Sequence, residues 1–192
     1  MKRITEAIQQ SIDVKQKILS DAQLLSTIGE IAETCSQSLC DGNKIMFCGN
    51  GGSAADAQHL AAELSGKFYY DRKPLAAEAL NVNTSFLTAV ANDYSFDEIY
   101  ARLVEGSGNE GDVLIGLSTS GNSENVLRAF QAAHKKGIIT VGLTGESGGK
   151  LRELSDFIIR VPSSDTPRIQ ESHILIGHII CELVEKELAR EG

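Results

Sequence analysis

Residues 44–66 of this chain combine side chains and backbone geometry that suit chemistry on a small anion. His59 and Glu63 are four residues apart in an alanine-rich stretch, so a helix would place both side chains on one face. A glycine-rich turn, Gly49–Ser53, precedes that stretch and follows an apolar run, Ile45–Cys48. Strand, glycine turn and helix N-terminus is the arrangement that presents free backbone N–H groups to an anion. A candidate phosphate cradle and a candidate metal or acid–base pair thus share one element.

A second polar loop, Ser118–Ser123, contains four hydroxyl side chains, one glycine and one asparagine. Hydroxyl groups and turn N–H groups beside a helix N-terminus can surround a phosphate without a fixed positive charge. For this loop alone, an ordinary polar loop with Asn122 or Ser123 as helix N-cap is an equally good interpretation. Gly-Lys-Ser/Thr does not follow it, and Gly49–Ser53 does not match G-x-G-x-x-G, so nucleotide binding has weak support. Two such loops on one sheet edge favour a small phosphorylated ligand.

The histidines allow several interpretations from spacing alone. His59 and Glu63 could be metal ligands, a catalytic pair or a solvated helix face, and the spacing by itself favours the solvated face. His178 lies in an apolar helix, where a histidine is typical of a core or an interface. His134 and His173 have no evident partner, and we predict that they lie on the surface.

The composition limits the class of protein. The length of 192 residues, the 42% hydrophobic content and the absence of Trp predict a single domain with an aliphatic core. A net charge of −8 without a Lys/Arg block argues against nucleic-acid and anionic-membrane partners. No apolar run reaches membrane-spanning length, and the N-terminus lacks a signal-peptide pattern. Cys48 and Cys181 lie in apolar segments and no CxxC occurs, which predicts buried, reduced thiols in a cytoplasmic protein.

Strand-like and helical segments alternate through the central part of the chain. The predicted strands are Ile45–Cys48, Leu75–Leu80, Asp112–Leu117, Ile138–Leu143 and Phe157–Val161. The predicted helices are 3–18, 21–40, 54–65, 83–91, 96–107, 124–136, 151–154 and one long C-terminal helix at 168–190. Strands that alternate with helices through short turns imply a parallel sheet covered on both faces. We therefore predict an α/β fold, a three-layer α/β/α sandwich with a five-stranded parallel sheet.

The organisation follows from these segments. We predict one domain over residues 1–192, with N-terminal helices at 1–40, a sheet core at 44–161 and the C-terminal helix. The N-terminal helices would serve packing and oligomerisation. Ligands in such folds bind outside the carboxyl ends of the strands, and both polar loops follow strands, so both should lie at that edge.

Five longer stretches together resemble the sugar isomerase (SIS) domain family. In chain order they are CGNGGSAADAQHLAAELSG, ANDYSFDEIY, GDVLIGLSTSGNSENV, GLTGESGGKL and RIQESHILIGHII. Within that family they are similar to the phosphoheptose isomerases, over nearly the whole chain. The resemblance implies conversion of sedoheptulose 7-phosphate to D-glycero-D-manno-heptose 7-phosphate. That reaction would be the first step of nucleotide-activated heptose synthesis for lipopolysaccharide core or related glycans.

The resemblance also implies roles for particular positions. Glu63 and His178 would be the acid–base residues. One Zn²⁺ per subunit would be bound by His59, Glu63, Gln170 and His178. Substrate contacts would come from Asn50, Gly51, Gly52, Ser53, Glu63, Asn92, Asp93, Ser118, Thr119, Ser120, Ser123 and Gln170, with the hydroxyl residues holding the phosphate. The chain departs from the family pattern at Lys67, where an arginine is common, and at Thr166-Pro167.

The implied reaction explains these residue types. Aldose–ketose isomerisation moves a proton between C1 and C2, most simply through a cis-enediol. A carboxylate and an imidazole can handle the carbon-bound proton and the oxygens, and zinc would polarise the carbonyl and stabilise the enediolate oxygens. We assign Glu63 as the base at carbon and His178 as the acid–base group at oxygen, and the reverse assignment stays open.

One geometric conflict remains in the implied ligand set. On a straight helix, Gln170 and His178 would lie about 12 Å apart along the axis, which zinc bonds of about 2 Å cannot easily span. Either Gln170 lies in a non-helical first turn, or the ligands come from different subunits. The family resemblance implies a homotetramer with active sites at subunit interfaces, so we expect the second explanation in part.

Two other functions stay open at this point. One is a non-catalytic SIS-domain protein that binds a sugar-phosphate effector or a protein partner, as a relative does with the bacterial replication initiator. That relative lacks the equivalents of Glu63 and His178, which are both present here, so the enzyme is favoured. The other is an isomerase of a different phosphosugar, because the loops mainly recognise phosphate.

Overall fold

Helices cover both faces of a five-stranded sheet in the computed structural model, which describes residues 2–189. The strand order is β2-β1-β3-β4-β5 and every neighbouring pair is parallel. The strands are β1 (Ile45–Gly49), β2 (Ala77–Ala79), β3 (Val113–Leu117), β4 (Ile139–Thr144) and β5 (Phe157–Arg160). The predicted five-stranded parallel sheet is confirmed.

The helices form the two outer layers of the sandwich. They are α1 (Lys2–Ser20), α2 (Ala22–Cys40), α3 (Gly52–Ser65), α4 (Thr84–Asp93), α5 (Ile99–Ser107), α6 (Glu124–Lys135), α7 (Leu151–Leu154) and α8 (Thr166–Leu188). Alternate β1 side chains enter different cores: Ile45 and Phe47 pack in one buried cluster, Met46 and Cys48 in the other. A sheet buried on both faces explains why its strands read as continuous apolar runs.

Several predicted boundaries shift. Helix α8 begins at Thr166, two residues before the predicted start, because a proline in the first helical turn needs no hydrogen-bonded N–H group. Helix α3 begins at Gly52 instead of residue 54, strand β2 is only Ala77–Ala79, and α4 continues through the predicted break at residues 92–93. Residues 96–107 divide into a 3₁₀ turn, Phe96–Glu98, and α5. The predicted C-terminal helix end at residue 190 lies outside the described residues.

The boundary between α1 and α2 follows the prediction. The Asp21 side chain accepts a hydrogen bond of 3.0 Å from the Leu24 backbone N–H, as an N-cap does. Such a cap contributes on the order of 1 kcal/mol to stability. No helix within residues 2–189 is long and apolar enough to cross a membrane.

Two neighbour relations position the residues of interest. Strands β1 and β3 are adjacent and in register at Gly49 and Leu117, so the loops that follow them lie side by side. Helices α3 and α8 approach closely at Gly177, where an added Cβ atom would lie 2.5 Å from Leu60 Cδ1. This close approach sets the α3 residues beside Leu60 against the α8 residues beside Gly177.

Candidate functional site

The loop after β1 turns tightly into α3 because it is built from glycine. Gly51, at the N-cap of α3, has φ +56°, a conformation that side chains disfavour. A Cβ atom on Gly49 would lie 2.7 Å from the Ser53 carbonyl oxygen, and one on Gly52 would lie 2.9 Å from Gln170 Nε2. The buried Tyr100 hydroxyl donates a hydrogen bond of 2.5 Å to the Gly49 carbonyl and so fixes the start of the loop.

The loop after β3 presents hydroxyl groups and helix N–H groups together. Ser118 Oγ and Ser123 Oγ lie 2.9 Å apart, and Ser120 Oγ accepts a 3.1 Å bond from the Asn122 backbone N–H. Ser123 occupies the predicted N-cap position of α6 but makes no side-chain cap hydrogen bond. The first N–H groups of a helix have no intrahelical partner, so the start of α6 offers donors to an anion beside Ser118 and Ser123.

A third loop, residues 145–149, packs against the loop after β3, Ser118–Ser123, which we call the hydroxyl loop. Gly121 has φ +66°, and a Cβ atom there would lie 2.1 Å from the Gly148 carbonyl oxygen. The Thr119 carbonyl accepts a 3.0 Å hydrogen bond from the Gly145 N–H. Asn122 Oδ1 accepts a bond of 3.1 Å from the Lys150 N–H. The hydroxyl loop is therefore held by backbone contacts that leave no room for side chains at the glycines.

A reciprocal amide pair joins the glycine loop to the hydroxyl loop. Asn50 Nδ2 donates to Asn125 Oδ1 and Asn125 Nδ2 donates to Asn50 Oδ1, both at 2.9 Å. Asn125 is only 3% exposed, in the first turn of α6. Sequence reasoning named Asn50 but missed Asn125, whose only signal was its place just after the hydroxyl loop. The pair makes the two loops one surface.

Side chains from α3 and α8 converge in a cluster of His59, Glu63 and His178. His59 Nε2 lies 2.8 Å from Glu63 Oε1 and 3.2 Å from His178 Nε2. One ligand atom from each residue lies within 4.8 Å of the other two. The structure thus brings together three of the four predicted zinc ligands within one chain, on the helix pair that Gly177 allows to approach.

The donor set of this cluster fits a divalent metal. Two imidazole nitrogens and a carboxylate oxygen are ordinary zinc ligands, and three protein donors leave a position open, as catalytic zinc sites do. His59 Nε2 lies within hydrogen-bond distance of both Glu63 Oε1 and His178 Nε2, although one nitrogen of a neutral imidazole offers only a single N–H or a single lone pair. A cation bound among these three ligand atoms would accept a lone pair from each of them.

Gln170 does not join this cluster in the same chain. It lies inside α8, so the alternative of a non-helical first turn is wrong. At roughly 1.5 Å per residue it is about 12 Å along the helix from His178. Its amide lies instead against Gly52, at the opposite end of α3 from Glu63. Only three of the four predicted ligands therefore converge within one chain, and Gln170 does not.

Asn92 and Asp93 form the exposed last turn of α4. The Asn92 amide donates a 2.9 Å hydrogen bond to Asp93 Oδ1. Within residues 2–189, no hydrogen bond links this pair to either polar loop. Their predicted contact with substrate stays a prediction.

His173 corrects the prediction of a surface residue. It is fully buried, and its Nε2 lies 3.1 Å from the Thr144 carbonyl oxygen. Burial lowers the His173 pKa to about 4, although the hydrogen bond to Thr144 raises it. The prediction was wrong because the apolar face of α8 is wider than its aliphatic residues alone indicated. His134 is exposed, as predicted, and contacts the Thr140 hydroxyl at 3.1 Å.

Two neighbours of the cluster were missed by sequence reasoning. Asp56 lies one helical turn before His59; burial raises its pKa, while the nearby imidazoles of His59 and His178 lower it. Its i−3 spacing from His59 was the available signal. The Phe68 ring stacks on the His178 ring with centroids 5.6 Å apart. Phe68 lies beyond the end of α3, where no periodicity could place it.

Comparisons with known proteins agree with this geometry. A family model described as the SIS domain matches residues 9–145. A phosphoheptose isomerase from Clostridium acetobutylicum is 55% identical over 192 residues, covering 100% of this chain and 98% of that protein. A phosphoheptose isomerase from Aneurinibacillus thermoaerophilus is 52% identical over 187 residues, covering 97% of this chain and 94% of that protein.

Solved structures give the same result. A phosphoheptose isomerase from Neisseria gonorrhoeae superimposes with a TM-score of 0.90 at 43% identity, covering 96% of this chain and 98% of that chain. One from Francisella tularensis has a TM-score of 0.93 at 37% identity, with 96% and 97% covered. The similarity extends over the sheet, the polar loops and both helices that carry the cluster.

Proposed function

Because the chain belongs to the SIS domain family and is similar over its whole length to phosphoheptose isomerases, we propose that it interconverts sedoheptulose 7-phosphate and D-glycero-D-manno-heptose 7-phosphate. The isomerase predicted from the sequence is confirmed at the level of the enzyme family. The reaction would supply the first intermediate of nucleotide-activated heptose synthesis, for lipopolysaccharide core or related glycans.

The observation that carries this proposal is the convergence of His59 and Glu63, on α3, with His178, on α8; α3 is the helix that the glycine loop begins. His59 lies seven residues after Gly52, about 10 Å along the helix. In the proposed complex, the phosphate of the substrate would lie at Ser118–Ser123 and its carbonyl end would point toward a cluster of His59, Glu63 and His178. A protein that only bound phosphosugar would need the loops and not the acid–base residues.

Proton transfer falls to Glu63 and His178. The Glu63 carboxylate can take the proton from carbon, and the His178 imidazole can exchange a proton with the neighbouring oxygen. The reverse assignment uses the same atoms. The glycine loop and the amide pair of Asn50 and Asn125 would orient the sugar hydroxyl groups, because amide groups offer both donors and acceptors.

Zn²⁺ is part of the proposal, at one ion per subunit. His59, Glu63 and His178 would hold it, and when bound it would polarise the carbonyl group and stabilise negative charge on the substrate oxygens. Gln170 would add the fourth ligand from a neighbouring subunit, because its own chain keeps it beside Gly52. Glu63 is a weaker base while it is a ligand, so its two roles would alternate.

A homotetramer with active sites at subunit interfaces is also part of the proposal. Helix α1 exposes Ile4, Ile8 and Ile12 at fractions of 63%, 57% and 43%. Because side chains four residues apart lie on one helix face, they form an apolar stripe suited to burial against another subunit.

We place the enzyme in the cytoplasm, with a small phosphosugar as its partner. The thiols of Cys35, Cys48 and Cys181 are buried, and burial raises the pKa of each to about 12. Such thiols are unreactive and suit a reducing compartment.

Turnover of sedoheptulose 7-phosphate by the purified protein tests the proposal. Product formation, followed by NMR, should be lost after chelation and restored by Zn²⁺. A Glu63→Gln variant run in parallel controls for contaminating isomerase. Absence of turnover after zinc is restored would favour the protein that only binds, and turnover of a different phosphosugar alone would favour the other isomerase.

A further inference from the structure

A buried ion pair lies just behind the His59–Glu63–His178 cluster. Arg72, in the segment between α3 and β2, places its Nε 3.0 Å from Glu185 Oε1 on α8. The side chains are 8% and 0% exposed, respectively. A charge pair this deeply buried requires further polar contacts to offset its desolvation. Those contacts show which backbone segments the two side chains bind.

Glu185 fixes the chain segment that follows α3. Its carboxylate accepts backbone N–H bonds from Phe68 at 3.1 Å, Tyr69 at 2.6 Å and Tyr70 at 3.2 Å. Burial alone would raise the Glu185 pKa, but the N–H donors of these three residues and the Arg72 charge outweigh it and lower the pKa. The carboxylate is therefore ionised and fully engaged.

Arg72 fixes the C-terminal end of α3. Its Nη2 donates to the Glu63 carbonyl at 3.0 Å and its Nη1 donates to the Leu64 carbonyl at 2.9 Å. The last carbonyl groups of a helix lack intrahelical partners and carry partial negative charge, which a guanidinium satisfies. The backbone of the proposed base is thus bound directly by this side chain.

The contacts of Glu185 also extend to His178, through Phe68. Phe68, held by Glu185, stacks on the His178 ring with centroids 5.6 Å apart. Glu185 lies seven residues after His178, close to two helical turns, so both side chains leave α8 on the same face. The ion pair therefore connects the backbone of Glu63 to the ring that contacts His178.

We propose that Arg72 and Glu185 are positioning residues that set the separation of Glu63 and His178 required for metal binding and proton transfer. Neither residue belongs to the three-residue cluster, and neither lies in the polar loops. This inference rests on the proposed function. It predicts that weakening the pair loosens the cluster and leaves the phosphate loops unchanged.

Conservative variants test this proposal. Glu185→Gln removes the charge and two acceptor sites, and Arg72→Lys keeps the charge but loses the planar fork. Glu182→Gln, on the exposed face of α8, is the matched control. The measurements are the dissociation constant for Zn²⁺ by chelator competition, kcat and KM for sedoheptulose 7-phosphate, and inhibition by inorganic phosphate. Altered outer contacts of metal ligands typically change metal affinity or activity about 10–100-fold.

We expect Glu185→Gln and Arg72→Lys to weaken zinc binding and to lower kcat by that range, with KM and phosphate inhibition within about 2-fold of the control. Equal losses in zinc affinity and phosphate inhibition would indicate general loosening and overturn the proposal, as would zinc affinity and kcat that match the control. If both variants fail to fold, Phe68→Leu decides, because it removes only the ring on His178. It should lower zinc affinity and kcat several-fold, and unchanged values would overturn the proposal.

The outcome is separable from that of the proposed function. Should the wild-type protein fail to turn over sedoheptulose 7-phosphate, the proposed function fails. Zinc affinity by chelator competition needs no turnover and would still report whether Arg72 and Glu185 position the cluster.

Discussion

The hydroxyl loop at Ser118–Ser123 and the His59–Glu63–His178 cluster acquire their geometry in different ways. The loop is held by backbone contacts with the Gly145–Gly149 segment and by the start of α6. The cluster is assembled from side chains on two helices, with His178 far along the chain from the other two. The geometry of the proposed phosphate site is therefore local, whereas that of the proposed acid–base and metal site depends on how α3 and α8 pack.

This difference predicts two separable classes of variant. Changes in the loop should alter phosphate affinity and leave metal binding intact. Changes in the cluster should alter metal binding and kcat while phosphate inhibition stays constant. Three predictions below test that separation in order of decreasing expected effect, and a fourth concerns the stability of the fold.

The largest effect is expected for Glu63→Gln. The amide can neither accept a proton from carbon nor neutralise a metal charge, so kcat should fall by about 10³-fold, within the range for acid–base groups. Inhibition by inorganic phosphate should match that of the exposed control Glu182→Gln. A kcat within tenfold of wild type would remove Glu63 from the acid–base role.

Gly121→Ala should disrupt the hydroxyl loop and leave the His59–Glu63–His178 cluster unchanged. Its φ is +66° and the new methyl group would meet the Gly148 carbonyl oxygen at 2.1 Å, so the loop must shift. Losing one charge-assisted bond of about 1.5–3 kcal/mol should raise KM about 10–100-fold, with zinc affinity unchanged.

Gly42→Ala is the matched control for that variant. Gly42 also has a positive φ, +84°, but a Cβ atom there meets nothing within 4 Å. It should cost about 1–2 kcal/mol of stability because alanine disfavours the left-handed backbone conformation, and it should leave KM unchanged. If both variants raise KM equally, backbone strain and not the loop geometry explains the effect.

Asn125→Asp should have a smaller effect on the junction of the two loops. The carboxylate cannot donate to Asn50 Oδ1, so one of the two 2.9 Å bonds is lost. A net hydrogen bond of about 0.5–1.5 kcal/mol predicts a fall in kcat/KM of up to about tenfold. Gln131→Glu makes the same kind of change on an exposed position of α6 and should be neutral. Equal behaviour of the two variants would contradict a role for the amide pair.

His173 should affect stability with little effect on activity near pH 7. Its pKa falls from 6.5 to about 4 on folding, so the unfolded chain binds more protons between those values. Stability is therefore fully present above pH 6.5 and is lost as pH falls toward 4, by about 2 kcal/mol at pH 5. Urea unfolding at pH 7 and pH 5 should show this loss in wild type and a smaller one in His173→Gln. An identical loss in both proteins would assign it to other groups.

The sequence was sufficient to predict the sheet and the polar loops, because local signals indicate them. Continuous apolar runs mark strands buried on both faces, and glycine marks the sharp turns after β1 and β3. The cluster residues were predicted only through the family resemblance, since the spacing of His59 and Glu63 alone favoured a solvated face.

The remaining features depend on packing between distant segments. The pairing of Asn50 with Asn125 requires the order of β1 and β3, which a list of strands does not contain. The burial of His173 depends on how deeply α8 sits against the sheet. The contact of Arg72 with Glu185 joins a loop to a helix far along the chain, and nothing in either local pattern indicates it.

The most direct test of the two-region account is an anomalous-difference map at the zinc edge, from crystals grown with Zn²⁺ and inorganic phosphate. The account predicts one zinc peak per chain, about 2 Å from donor atoms of His59, Glu63 and His178. It also predicts a phosphate against Ser118–Ser123 and Gln170 from another subunit beside the metal. Zinc bound away from the three residues, or phosphate bound away from the hydroxyl loop, would contradict it.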